Sequence, residues 1–279
     1  MKITFCGVRG SIPSPGKEFI KYGGNTACIH IDADDKDIIL DSGTGIRALG
    51  ARLIKKTTPI HLLLSHNHWD HIQGFPFFAP IFQSQREINI YPGLTELEEP
   101  EAILNQMTGS LFPVHRDMLT AEIRVHNLAS SITEWEIGSV HIKRLRMNHP
   151  GGGSSYRIEA NGKSLVYITD NELYPPYTKA TDFLDFVAFA KGADLLVHDA
   201  QYLVSDMPAK SGWGHSVAEE AVKLAMACNA KQLALYSHDP TRTDTDIDEI
   251  IEHSQLITEL GGAELTCFAA EENQVLVLA

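Results

Sequence analysis

Apolar residues along this chain come in short, strand-sized runs. Ile3 to Val8, Ala27 to Ile31, Ile38 to Leu40, Ile60 to Leu64 and Ile88 to Tyr91 are rich in β-branched and aromatic side chains. Gly, Pro and Asp separate them, the punctuation expected between β-strands. Strand-like runs resume at Val140 to Leu145, Ser155 to Ile158, Ser164 to Ile168, Leu195 to Val197, Gln232 to Tyr236, Glu264 to Phe268 and Gln274 to Leu278. A different spacing, Ile46, Leu49, Leu53 and Ile54, predicts a helix after the turn Asp41-Ser42-Gly43-Thr44-Gly45. Helices are also predicted over Ser216 to Cys228 and Thr245 to Leu260, the second followed by Gly261-Gly262, as helix-stop chemistry requires. Strands and helices mix through both halves with no linker or repeat. The pattern predicts one α/β domain over residues 1–279, built of two sheet-plus-helix layers.

Residues from about Pro92 to Asn127 break the pattern. An acidic helix is predicted over Thr95 to Asn105, followed by Gly109 to Pro113 and then His115, Arg116 and Asp117. This stretch reads as an excursion from the central sheet, either a surface helix and loop or a flap over a site.

Composition narrows the class. Of 279 residues, 43% are hydrophobic and 21% charged, the make-up of a globular chain with a full core. The net charge is −13, from 23 Lys and Arg against 36 Asp and Glu. Such a surface repels a long polyanion, which argues against wrapping extended nucleic acid, yet allows a small anion held by a local cation. Cys6, Cys28, Cys228 and Cys267 form no C-x-x-C pair, so buried free thiols are expected. The apolar run at the N-terminus is too short for a signal peptide, and no segment approaches the roughly 20 apolar residues that span a bilayer. A cytoplasmic location without membrane attachment is expected.

The densest chemistry lies in His66-Asn67-His68-Trp69-Asp70-His71, directly after the apolar run Ile60 to Leu64. On extended chain, side chains two apart share a face, so His66 and His68 can grip one ion. A turn at Asp70-His71 would let that pair reach a second ion. Such imidazole and carboxylate donors suit Zn, Mn or Fe. Three His and one Asp in six residues are hard to bury without a metal to satisfy them. His149, Asp170 and His238 each follow a hydrophobic strand, as His66 does. Strand ends along one sheet edge converge, and that edge is the usual ligand site in α/β folds. Asp41 is a further candidate, for orienting a ligand His from behind.

With this set the chain resembles the metallo-β-lactamase fold superfamily of metal hydrolases, through the H-x-H-x-D-H block followed in order by His149, Asp170 and His238. The resemblance implies a four-layer αββα sandwich with a dinuclear site of two divalent ions, zinc first. It also implies that one ion takes His66, His68 and His149, the other takes Asp70, His71 and His238, and Asp170 bridges them. A narrower resemblance lies in His198-Asp199-Ala200-Gln201 and Gly214-His215-Ser216, similar to the H-E-A-T and H-S-T motifs of RNase Z and its phosphodiesterase relatives. Here Asp199 stands in place of Glu, and Val217 in place of Thr. Phe5 to Ser11 with Tyr22 to Thr26 is similar to the phosphodiesterase-like branch.

The expected chemistry follows. His215 with Asp199 behind it makes a proton donor, because a carboxylate on one ring nitrogen fixes the tautomer and raises the imidazole pKa. Asp70 is counted with them as a catalytic residue. Two divalent ions against Asp70, Asp170 and a bridging hydroxide leave about one net positive charge, which suits a phosphodiester monoanion. The leading expectation is a phosphodiesterase for small nucleotidyl or cyclic-nucleotide diesters. The alternatives are a tRNA 3′-end endonuclease of RNase Z type and a lactamase- or thioesterase-type hydrolase. RNase Z usually carries a long tRNA-gripping arm where this chain has a short hairpin turning at Asn161-Gly162, between His149 and Asp170. A homodimer is suggested by the resemblance alone.

Overall fold

The computed structural model describes all residues, 1–279. Fourteen strands form two sheets. The first contains β1 (Lys2–Gly7), β2 (Cys28–Ala33), β3 (Lys36–Leu40), β4 (Ile60–Leu63), β5 (Glu87–Tyr91) and β6 (Glu122–Val125). The second contains β7 (Glu134–Ile137), β8 (Val140–Arg146), β9 (Ser154–Ala160), β10 (Lys163–Ile168), β11 (Leu195–Asp199), β12 (Gln232–Tyr236) and β13 (Thr266–Ala269). The last strand, β14 (Val275–Val277), returns to the first sheet beside β1. The spatial orders are β14-β1-β2-β3-β4-β5-β6 and β13-β12-β11-β10-β9-β8-β7. Each sheet is antiparallel at one side and parallel at the other, the parallel strands being β3 to β6 and β10 to β13.

Alternation along the strands sets the layers. In β3, Ile38 and Leu40 face the second sheet while Ile39 turns outward; in β10, Leu165 and Tyr167 face inward while Val166 and Ile168 turn outward. Both faces of these strands are therefore buried, which explains why they read as continuous apolar runs. The outer face of the first sheet is covered by α1 (Ile46–Leu53), by the short helices α2 (Trp69–Ile72) and α3 (Ala102–Asn105), and by Phe75 and Phe78. The second sheet is covered by α4 (Phe183–Ala190), α5 (Ala218–Ala227) and α6 (Asp244–Leu260). This is the expected αββα sandwich. All four cysteines are buried free thiols, as expected. No helix is long and apolar enough to cross a membrane.

The segment from 92 to 127 departs from expectation in two ways. Helix forms only over α3, because Pro100 inside the predicted span cannot donate its backbone hydrogen bond and clashes with the preceding turn. Residues 122–125 are also not outside the sheet. They form β6, a parallel edge strand beside β5. Two further elements, β7 and α4, lie outside the predicted strands and helices. The first is a four-residue edge strand alternating Glu with Trp135 and Ile137. The second is apolar almost all round, so its 3.6-residue period is masked. The boundaries of α6 follow from a capping box, in which the Thr243 hydroxyl accepts from the Asp246 N–H and the Asp246 carboxylate accepts from the Thr243 N–H. The hairpin between β9 and β10 turns at Asn161 and Gly162, both with positive φ (53° and 70°), the chemistry of a tight two-residue turn.

Candidate metal centre

The strand ends β3, β4, β8 and β10 deliver Asp41, His66, His149 and Asp170 to one place. Asp41, Asp170 and Ser237 all have left-handed backbones at the ends of their strands, with φ of 58°, 42° and 57°. Left-handed residues cost energy and persist where the surroundings demand them, often at functional sites. The chain then turns through α2, and this turn aims Asp70 and His71 at the same point as His66.

Two overlapping groups result. His66, His68 and His149 each place a ligand atom within 4.8 Å of the others, and so do His66, His71 and Asp170. Nε2 of His149 lies 2.9 Å from Nδ1 of His68, and the Asp170 Oδ2 lies 3.2 Å from Nε2 of His71. Oδ2 of Asp70 is 3.3 Å from the same His71 nitrogen and is held by the Ser11 N–H at 2.8 Å. Asp170 thus lies between the histidine group and the Asp70–His71 pair. Its other oxygen accepts from the hydroxyls of Thr169 and Ser237.

The ligand set fits a cation on its own chemistry. Burial, with the neighbouring imidazoles, pushes the pKa of His66 well below its ordinary value and that of His149 down to about 4, so these rings present neutral lone pairs. The His66 Nε2 is buried and has no hydrogen-bond partner, a costly state that a metal bond would relieve. Burial alone would also strip His71 of its proton. Asp170, Asp70 and Asp41 crowd it instead and hold its pKa well above the imidazole range. That demand for positive charge is one a divalent ion would meet.

Behind these candidate ligands stands Asp41, fully buried. Its carboxylate accepts from His71 Nδ1 (2.8 Å), the Tyr167 hydroxyl (2.7 Å), and the N–H and hydroxyl of Ser65 (2.7 and 2.8 Å). Carboxylate contact at Nδ1 fixes the ring so that Nε2 faces the site. The change Asp41→Asn should lower apparent metal affinity by about 10–100-fold, measured by competition with a chromophoric chelator; unchanged affinity would remove Asp41 from this role. His149 is fixed in the same manner by the Gly214 carbonyl, 2.8 Å from its Nδ1.

His215 and Asp199, paired in the expectation from sequence, lie in contact. Oδ2 of Asp199 lies 2.6 Å from Nδ1 of His215 and also accepts the Asn171 N–H, while Oδ1 accepts the Gln201 N–H. His215, His149 and Asp170 again bring ligand-type atoms within 4.8 Å of one another. Burial works against a charged His215 ring, but Asp199 beside it and Asp170 beyond overcome this and push its pKa up to about 9.

Of the expected ligands, Asp70 stays outside these groups but touches His71, whereas His238 stands apart from all of them. It follows β12 as predicted, yet its Nε2 donates to the Ala270 carbonyl at 3.0 Å and the ring packs edge-on against Tyr22. Backbone bonds tie it to the N-terminal loop, from its N–H to the Val8 carbonyl and from the Gly10 N–H to its carbonyl. A strand-end position puts a residue at the right edge, but a rotamer and a competing acceptor decide where its ring points.

Asp41 was a candidate from sequence, but the supports Glu172 and Gly214 were not. Glu172 accepts from the backbone N–H groups of Gly212 and Gly214, so it fastens the loop that carries His149's partner carbonyl and His215. Its only signal was an acidic residue two places after Asp170. Gly214 is needed for two reasons. Its φ is 85°, and a Cβ there would lie 2.1 Å from Nδ1 of His149. The change Gly214→Ala should displace His149 and lower bound metal while far-UV circular dichroism stays native; full metal content would refute this.

The neighbouring His198 is fully buried, with Nδ1 2.6 Å from the Asp199 carbonyl and Nε2 unpartnered. Protonating Nε2 would bury an uncompensated charge, so burial lowers the His198 pKa to about 4. An unfolded His titrates near 6.5, so between these values the unfolded chain binds the extra proton. This group therefore costs stability as pH falls from about 6.5 to about 4, on the order of 3 kcal/mol when complete. Urea midpoints of metal-free protein should fall less steeply across that window for His198→Asn than for wild type; equal slopes would contradict the assignment.

Comparison with known proteins agrees with this geometry. A family model described as a beta-lactamase superfamily domain matches residues 36–238. Over 303 residues the chain is 22% identical to a Ribonuclease Z of Natronomonas pharaonis, covering 94% of this chain and 96% of that protein. It is 25% identical over 300 residues to a Ribonuclease Z of Haloarcula marismortui, with 91% of each covered. Among solved structures, the metallo-β-lactamase fold protein YhfI of Bacillus subtilis superposes with a TM-score of 0.71 at 18% identity, covering 99% of this chain and 98% of that one. A diphosphatase of the PhnP family gives 0.68 at 18% identity, covering 100% and 98%. The fold, the ligand-bearing strand ends and the match over residues 36–238 agree: this chain belongs to the metallo-β-lactamase superfamily of hydrolases.

Proposed function

We propose that the chain is a dinuclear metal-dependent phosphodiesterase acting on small nucleotidyl diesters, cyclic nucleotides included. One ion would be held by His66, His68 and His149, and a second by Asp70 and His71, with Asp170 between them; zinc is the first choice for this donor set. When bound, the ions would lower the pKa of a coordinated water toward ~7 and balance charge that builds on phosphorus. The chain's own residues do the rest. His71 is oriented by Asp41, and His149 by Gly214. Asp199 accepts the Nδ1–H of His215, which leaves Nε2 to donate a proton to the departing alkoxide oxygen.

The observation that carries this reading is the His215–Asp199 pair at the edge of the ligand cluster. A pair placed to protonate a leaving oxygen is useful where that oxygen departs as a poor leaving group, as in alkyl diesters. The relatives named Ribonuclease Z support a second reading, a tRNA 3′-end endonuclease. The short β9–β10 hairpin and the net charge of −13 weigh toward smaller substrates. Segment 93–99 is proposed as a cover for the site. The Asn67 amide donates to the Glu99 carbonyl at 3.0 Å, and the Glu96 N–H donates to the Gly151 carbonyl at 2.8 Å.

The test is a hydrolysis panel with metal analysis: bis-(p-nitrophenyl) phosphate, nitrocefin, a thioester and a 3′-extended tRNA precursor. Diester turnover in proportion to bound metal is expected. Turnover of nitrocefin or thioester without the diester would reject the reading, and preference for the precursor would move the assignment to the endonuclease.

A further inference from the structure

A cleft of about 560 Å³ opens beside the metal centre, with His149 as one wall. Its other walls include Glu96, Arg146, Gly151, Gly152 and Tyr177. The volume is in the range that receives small organic ligands. Its charged groups are not engaged with each other. Arg146 makes no ion pair and has only a long contact, 3.4 Å, to the Leu94 carbonyl; Glu96 uses its backbone, not its carboxylate, to bond Gly151. The cleft therefore offers a free donor fork, a free acceptor, a half-exposed phenol ring and a glycine wall. At Gly151 the space next to the backbone is open, with nothing nearer to an added Cβ than His68 Nε2 at 3.8 Å.

These features select among ligand chemistries. A second phosphate would gain from Arg146 but meet Glu96. An acyl chain would bury both charges unpaired, at a cost. A nucleobase uses the charged and aromatic groups together: its face can lie against the Tyr177 ring, and its edge carries both acceptors for Arg146 and donors for Glu96. Resting on the phosphodiesterase reading, we propose that this cleft is the nucleobase subsite, and that Tyr177 and Arg146 determine the preference for nucleotidyl over simple alkyl diesters.

Two esters with a common leaving group test this: thymidine 5′-(p-nitrophenyl phosphate) and methyl p-nitrophenyl phosphate. Wild-type metal-loaded protein should favour the nucleoside ester, with the difference mainly in KM. In Tyr177→Ala and in Arg146→Ala the ratio of kcat/KM between the two esters should fall by roughly ten-fold, as loss of one base-stacking contact or one edge contact predicts. Calorimetric titration with thymidine 5′-monophosphate supplies a readout independent of turnover and should weaken by a similar factor in both variants. A ratio unchanged in both variants, or equal titrations, would overturn the subsite. Binding of the monophosphate through the cleft with no diester hydrolysed would instead overturn the phosphodiesterase reading and leave the subsite standing.

Discussion

Asp170→Ala should lose both ions together and the hydrolase activity with them. Asp170 is buried between the histidine group and the Asp70–His71 pair, with Oδ2 3.2 Å from His71 and 3.8 Å from His66. Outer supports of metal ligands are worth about 10–100-fold in metal affinity, so removing Asp170, proposed as a ligand shared by the two ions, should cost more than about 100-fold. The change also takes an anion from beside His71 and His215, which depend on it for positive charge. Metal-to-protein ratios after gel filtration, read beside circular dichroism, check this. Loss of one ion with the other kept at full occupancy would contradict a bridging role for Asp170.

His215→Ala is the second large effect, and its signature is selective. The ring is held by Asp199 and is proposed as a proton donor, not as a ligand of either ion, so bound metal should stay near wild-type content. General acid catalysis contributes about 10²–10⁴-fold, and it matters most when the leaving alkoxide is strongly basic. Alkyl diesters should therefore lose about that factor, while p-nitrophenyl diesters, which leave without help, should lose far less. Rates for a series of diesters with leaving groups of graded pKa would steepen with leaving-group pKa in the variant. An equal loss across the series would show that His215 acts by positioning, not by proton transfer.

Much of this architecture was legible from order and periodicity. The apolar runs located most strands because strands buried on both faces must be apolar throughout. The His66–His71 block was legible because it clusters scarce residue types right after such a run. Elements without a one-dimensional signal escaped: α4 has no polar stripe, and β6 and β7 are short edge strands whose place depends on their neighbours. Pro100 was a readable helix breaker inside an expected helix.

The pairing of Asp199 with His215, 16 positions apart, was expected only from the family resemblance; the sequence alone determined the class of fold and the strand ends on which ligand-type residues sit. Local pattern is enough for these, since side-chain period and turn chemistry act over a few residues. The tertiary structure decided which rings converge. Asp41 serves His71 across 30 positions and Tyr167 across 126, and Glu172 supports a loop about 40 residues on. The same packing turned His238 to the Ala270 carbonyl, because the orientation of a buried ring is settled by whichever partner lies within hydrogen-bonding distance, and that partner is set by the fold rather than by the ring's neighbours in sequence.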